Sequence, residues 1–311
     1  MANISYIQIV RKCNQNCLFC SNPENFREQS YDDVIKILKS YKRRNIKEVI
    51  FTGGEPTLHE NLPDLIKAAI DCGLTCRIIT NGQKISDKQY LHELINAGLR
   101  KIHVSFYSYQ PKIQNYLTQN DTSFENLYKA LQNLKNYNIQ ITINSVINKF
   151  NAKHLDKNIL FILKNFPMVE HFVFNNCDPY MNRASKNKFV IPKLSNFKES
   201  LSKSLKILKL AKKTFRVEKV PLCYMLDFAE YSTETRKIVK QEDRIIFFLD
   251  KRGYDNQKSN KFRYPKSVEC NGCTLTKICA GLQGAVDYYD PKELIPQKID
   301  PQIIINKIIF N

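Results

Sequence analysis

Between residue 4 and about residue 175, β-rich runs alternate with segments of helical period, and this alternation restricts the chain to a stack of βα units. The strand candidates are Ile4 to Val10, Glu48 to Phe51, Leu74 to Thr80, Lys101 to Phe106, Ile139 to Ile147 and His171 to Asn175. Between the first two, Tyr31, Val34, Leu38 and Tyr41 recur at helical spacing, and Ser30 with Asp33 has the form of a capping box. Between the next two, Leu62, Leu65, Ile66 and Ala69 form a second stripe, with Asn61 placed to cap its start and Gly73 its end. Ser86 with Gln89 opens a third helix that stops near Gly98. Six such units predict an α/β fold, a partial (β/α)6 barrel of TIM type, with its chemistry at the carboxyl ends of the strands.

The rhythm changes after about residue 180. A lysine-rich helical segment, Ser195 to Lys213, precedes a short strand-like run, Phe215 to Val220, and then an irregular, charged and cysteine-bearing region in which Ser232 to Arg244 reads as a charged helix. This places a boundary near residue 214, with residues 1–214 as the core domain and 215–311 as a small C-terminal cysteine-rich extension. The ten cysteines are grouped, three near the start and three near the end, and grouping favours a soft metal over a disulfide framework. No signal-peptide pattern and no apolar run of spanning length is visible, so the sequence reads as cytoplasmic, without a membrane partner. The formal charge of +18 invites a nucleic-acid reading, but lysines are spread over nearly every helix in a chain also rich in Asn and Ile, so nucleic acid is not the favoured partner.

Cys13, Cys17 and Cys20 follow directly from the first strand. Three thiolates on one tight loop can hold three corners of an iron-sulfur cubane, although the spacing alone also suits a zinc loop that lacks its fourth ligand. Gly53, Gly54, Glu55 and Pro56 follow the second strand; taken alone, they make a tight βα turn. The two motifs in these two positions resemble the radical SAM superfamily. The resemblance implies a [4Fe-4S] cluster on the three cysteines, chelated at its open iron by S-adenosylmethionine (SAM), and reductive cleavage of SAM to a 5'-deoxyadenosyl radical. Gly53 and Gly54 would let the backbone approach the methionyl end of SAM, and Glu55 would accept from its amino group. Phe19 matches the family's apolar position beside the adenine. Asn81, Ser105 and Asn144 would turn polar groups toward SAM, or serve as caps and turns. Arg183 would reach a carboxylate of SAM or substrate, or stand solvated on its loop.

Cys270, Cys273 and Cys279 form a second knuckle, with Cys223 upstream. Four thiolates suit a closed zinc site or a fully ligated cluster. The knuckle resembles part of the SPASM and twitch extensions, but Gln283 stands where a SPASM extension would place another cysteine, so one auxiliary [4Fe-4S] cluster is expected rather than two. Cys223 is read as its fourth ligand or as a hydrogen donor to a substrate radical. Cys177 is read as a buried core thiol or as a second candidate donor. Cys72 and Cys76 are read as structural, and the five histidines show no metal-ligand spacing.

The expected function is therefore a radical SAM enzyme, an oxidoreductase or peptide-modifying maturase that abstracts hydrogen from a ribosomally made peptide. A small-molecule or RNA substrate is the alternative, and a non-catalytic metal-cluster protein that binds nucleic acid is the contrasting class. A flavodoxin- or ferredoxin-type electron donor is implied. With twelve residues before Cys13, leader recognition is expected from the barrel surface, the C-terminal region or a separate leader-binding protein.

Overall fold

The computed structural model describes residues 4–22, 25–180, 182–242, 244–250, 253–257, 262 and 264–310. Its frame is one sheet of nine strands: β1 (Ile4–Val10), β2 (Glu48–Gly53), β3 (Thr75–Thr80), β4 (Lys101–Ser105), β5 (Gln140–Ile147), β6 (Val169–Asn176), β7 (Thr214–Glu218), β8 (Arg244–Phe248) and β9 (Gly253–Gln257). The order is β7-β6-β5-β4-β3-β2-β1-β8-β9. Neighbours from β7 through β8 pair in parallel, and β9 folds back antiparallel on β8. This is the partial TIM-type barrel expected from the alternation, extended by two parallel strands beyond the six. β7 coincides with the Phe215 to Val220 run, and its pairing with β6 carries the sheet across residue 214. β8 begins where the charged helix is expected to end, and the order leaves the sheet open between its edge strands, β7 and β9.

The helices form for the reasons their apolar stripes give. α1 (Tyr31–Arg43) buries Val34, Ile37, Leu38 and Tyr41, and the Ser30 side chain caps it by accepting from the Asp33 N–H. Truncating one such side chain, as in Leu38→Ala, costs about 2–5 kcal/mol, because the cavity left behind closes only in part. α2 (Leu62–Asp71) buries its predicted stripe, but Asn61 makes no side-chain cap. α3 (Lys88–Asn96) is capped by Asp87, which accepts from Gln89 N–H at 2.9 Å; a 3-10 turn over Lys84–Ser86 occupies the preceding residues and displaces Ser86 from that role. α4 (Pro111–Thr118), α5 (Ser123–Leu134) and α6 (Leu155–Asn165) follow, then the short α7 (Asn182–Lys186) and the long α8 (Leu194–Leu210). α9 (Thr233–Lys240) is the charged helix, and α10 (Pro301–Ile309) packs against it. Among the described residues, no helix is long and apolar enough to cross a membrane.

Candidate active site

The loop after β1 is held mostly by its own backbone. Asn16 N–H donates to Thr118 O at 3.0 Å and Leu18 N–H to Leu117 O at 2.9 Å, which hang the segment from the end of α4. Cys20 N–H closes a turn on Cys17 O at 3.1 Å, and the buried Gln15 amide donates to Ser123 Oγ at 3.0 Å. From the other side, α7 leans on the same loop: Arg183 Nε donates to Cys17 O at 2.9 Å, Ala184 N–H to Cys20 O at 3.2 Å, and Asn187 Nδ2 to Leu18 O at 3.0 Å. Phe19 is buried edge-on against Tyr107, with ring centroids 4.7 Å apart.

The end of β2 is fused to this loop. Gly54 N–H donates to Val10 O at 2.6 Å and Glu55 N–H to Lys12 O at 2.9 Å. A side-chain carbon on Gly53 would collide with the Val10 carbonyl, and one on Gly54 with the carbonyls of Arg11 and Lys12; Gly53 also sits at φ +141°. The two glycines thus let β2 approach the backbone that leads to Cys13. Glu55 is buried, with Oε1 accepting from Thr57 N–H (3.1 Å), Thr57 Oγ1 (2.6 Å) and Thr80 Oγ1 (2.7 Å), and Oε2 accepting from Asn81 N–H (2.7 Å). Burial raises the Glu55 pKa above the ordinary carboxylate value, and these hydrogen bonds oppose that rise.

These elements enclose a cavity of about 330 Å³ at the carboxyl ends of the strands. Cys13, Cys17, Phe19, Cys20, Gly53, Gly54, Glu55, Asn81, Ser105 and Asn144 all line it, so the structure brings together every residue expected at the first cluster or at SAM except Arg183. Arg183 braces the cysteine loop instead, as described above. Asn81 Nδ2 also bonds Asn14 Oδ1 at 2.7 Å and lies 3.7 Å from Cys13 Sγ. Burial pushes Cys13 up to about 11 and Cys17 higher still, so a soft cation on these sulfurs would supply the charge that turns them into thiolates. The donor set therefore fits a cluster held by three sulfurs.

A second cavity, of about 350 Å³, adjoins the first through Asn176, Asp178, Glu218 and Lys219, which line both. It occupies the opening of the barrel: Glu218 comes from β7, Ile246 from β8, Glu234 from α9, and Tyr264, Gln283 and Tyr289 from the C-terminal region. Cys177 lines it, with burial pushing its thiol up to about 12. Lys219, at φ +60°, is ion-paired with Asp178, and its N–H donates to Glu234 Oε1 at 3.1 Å. Burial, and then the neighbouring Glu218 charge, push Glu234 up to about 7. Asp178, Glu218, Lys219 and Glu234 were not singled out from the sequence. For Glu218 and Lys219 the signal is the strand-like run ending at Val220, which as a seventh barrel strand puts its last residues at the mouth.

Cys223, Cys270, Cys273 and Cys279 line a separate, tight hollow of about 20 Å³, together with Leu222, Leu275, Leu294 and Pro296. Backbone amides point at three of the sulfurs: Gly281 N–H at 3.2 Å from Cys279, Gln297 N–H at 3.4 Å from Cys273, and Ile295 N–H on Cys223. Burial raises Cys223 to about 11. Cys223 thus faces the knuckle, and it lines neither of the two larger cavities. Among the described residues, no three His, Cys, Asp or Glu side chains are drawn together tightly enough to hold a single metal ion; both cysteine sets are spaced around the walls of hollows. Cys72 ends α2, and Cys76 is buried on β3, away from all of these sites.

Comparison with known proteins agrees with this geometry. The PqqA peptide cyclase of Bradyrhizobium diazoefficiens is 26% identical over 153 residues, a match spanning 48% of this chain and 40% of that relative. Among solved structures, Streptococcus suis SuiB bound to S-adenosylmethionine superposes with a TM-score of 0.68 at 17% identity, covering 96% of this chain and 76% of SuiB. The native anSMEcpe structure with bound AdoMet and Kp18Cys peptide gives 0.67 at 16% identity, covering 99% of this chain and 97% of the other. At such identities these two likenesses concern the fold. Residues 7–162 match the radical SAM superfamily, and with half of its length so matched, the chain belongs to that superfamily.

Proposed function

We propose that this chain cleaves SAM reductively and uses the resulting radical to take a hydrogen atom from a peptide. The observation that carries the reading is the shared cavity: three thiols of one loop and the Gly53-Gly54-Glu55 turn line the same space, beside the polar side chains of Asn81, Ser105 and Asn144. Cys13, Cys17 and Cys20 would hold a [4Fe-4S] cluster, which supplies the electron that breaks a carbon-sulfur bond of SAM. The protein's part is to place and shield that chemistry. Phe19 and Tyr107 give the cavity an apolar wall, and Asn81, Ser105 and Asn144 offer hydrogen bonds to a bound SAM. The Oε2 atom of Glu55 accepts one bond within the protein, which leaves it an acceptor site for an ammonium group.

Several features support a peptide substrate. The relative is named for the PqqA peptide, and SuiB and anSMEcpe were each solved with a bound peptide. The second cavity reaches the first from the open side of the barrel, a route suited to a substrate too long to be enclosed. Cys177 lines it and keeps its S–H at neutral pH, as a hydrogen donor must. The four C-terminal cysteines would hold an auxiliary [4Fe-4S] cluster with Cys223 as a ligand; the amide donors around them suit thiolates, whose charge they share. The deciding experiment is anaerobic reconstitution with iron and sulfide, reduction, and measurement of 5'-deoxyadenosine from SAM. Steady formation is expected, and none from a protein loaded with about eight irons, enough for both clusters, would overturn the proposal.

A further inference from the structure

One carboxylate from the far end of the chain gathers polar side chains on both sides of the Cys13–Cys20 segment. Asp250 stands just beyond β8, and its Oδ2 is ion-paired with Arg11, whose side chain is 2% exposed. Arg11 also donates to Gln8 Oε1 at 2.5 Å and to Asn22 Oδ1 at 3.2 Å. Asn25 Nδ2 donates to Asp250 Oδ1 at 3.0 Å, and Arg27 lies 3.7 Å from the same oxygen while donating to the Asp250 carbonyl at 3.2 Å. Next to Asp250, Leu249 N–H donates to Gln8 Oε1 at 3.3 Å. The segment that carries the three thiols therefore leaves and returns through one knot, tied by a turn more than 200 residues downstream in the sequence.

The chemistry of the knot is that of a buried cation with one dedicated anion. A guanidinium out of water needs a compensating charge, and Asp250 supplies it through Oδ2 while Asn25 and Arg27 hold its Oδ1. Partial burial acts to raise the Asp250 pKa, but the bonds from Asn25 and Arg11 outweigh it and keep the group below its ordinary value, charged at neutral pH. Without that charge, Arg11 is driven toward solvent and takes the start of the loop with it. The other end loses its tie at the same time, because Asn25 and Arg27 answer to the same residue.

We infer that Asp250 is a positioning residue for the cysteine loop, setting where the thiols of Cys13, Cys17 and Cys20 stand relative to the end of β2. The inference rests on reading that loop as the cluster-bearing one. It also gives β8 and β9 a task, since the strands after the core deliver the anion that fixes the core's reactive loop.

The test compares wild type with Asp250→Asn, which keeps the shape and removes the charge, and with Asp250→Glu, which restores it. Amide hydrogen exchange of the metal-free protein is read first. Faster exchange in Asp250→Asn confined to residues 9–29, with α2 to α6 unchanged, is expected. In the reconstituted protein, a broadened electron paramagnetic resonance signal with SAM present and a drop of about tenfold or more in deoxyadenosine formation should accompany it, as for a displaced reactive group, with partial recovery in Asp250→Glu. Wild-type exchange within 9–29 together with an unchanged cluster signal would overturn the inference. Should exchange rise throughout the molecule, Asn25→Ala decides: loosening confined to 9–29 supports the clamp, and no loosening there refutes it. Failure of the wild type itself to cleave SAM would count against the proposed function and leave the exchange result to judge the clamp.

Discussion

The two cysteine sets differ in what surrounds them. The first lines a cavity of about 330 Å³ whose other walls include asparagines, serines, three carboxylates and two aromatic rings. The second lines a hollow of about 20 Å³ walled by leucines and prolines, with amide N–H groups already on three of its sulfurs. The supports differ too. Helices α4 and α7 and the end of β2 hold the first set, which lies on one short loop, whereas the second set is gathered from two parts of the chain, Cys223 and the Cys270–Cys279 knuckle. A roomy, polar site with three sulfurs leaves space for a ligand to join; a tight, apolar site with four leaves little. On the proposed function, the contrast is the one expected between a site open to a ligand and a site closed by its own donors.

The largest effect should come from the open site. Cys13→Ala, Cys17→Ala or Cys20→Ala should each reduce deoxyadenosine formation to background while circular dichroism stays native, since the loop is hung by backbone bonds that survive truncation of a thiol. Normal turnover in any of the three would break the contrast. A smaller effect on SAM cleavage is expected at the closed site. The anaerobic protein should carry about eight irons, and a triple alanine variant at Cys270, Cys273 and Cys279 about four, still cleaving SAM but making no final product. One equivalent of zinc with about four irons in the wild type would make the second site structural and leave the first intact.

How far the sequence reaches follows the same division. The first six strands were legible because their apolar alternation is strong and each is followed by a helical stripe; Gly53 and Gly54 were legible because few residues fit where two backbones touch. Strand β7 reads from sequence as a run outside the core, because the lysine-rich α8 before it has the composition of a boundary and not of another crossover helix. Strand β8 is not legible in the sequence, since five residues between a charged helix and a cysteine-bearing region carry too short a pattern. Pairings across long sequence distance were the least accessible. Nothing near Arg11 announces Asp250, and nothing near Arg183 tells that its guanidinium turns to the Cys17 carbonyl and not into the cavity. Lys219, with its left-handed backbone, could be placed at the mouth only once β7 was counted in the barrel.

The finest test of the contrast lies in Glu55, a buried carboxylate on the wall of the open site. Its Oε1 takes three bonds from Thr57 and Thr80, and its Oε2 takes one from Asn81 N–H. Glu55→Gln keeps the shape, and the amide oxygen will settle on the three-donor side, where it satisfies most partners. The NH2 group then faces Asn81 N–H and any ammonium in the cavity, a donor where an acceptor stood. SAM affinity should therefore fall by about 1–3 kcal/mol, the loss expected for a charge-assisted bond. A stability loss of similar size should accompany it, because the end of β3 loses the same acceptor. Asn81 N–H cannot be removed without altering the backbone, so the two losses are separated by the choice of ligand. Calorimetric titration of SAM analogues with and without the amino group reads the ammonium contact alone. If Glu55→Gln weakens both ligands equally, the carboxylate acts only as the joint between β2 and β3, and the open site binds SAM without its charge. If it weakens only the amino-bearing ligand, the carboxylate touches the cofactor, which is what a wall left polar around an open space predicts.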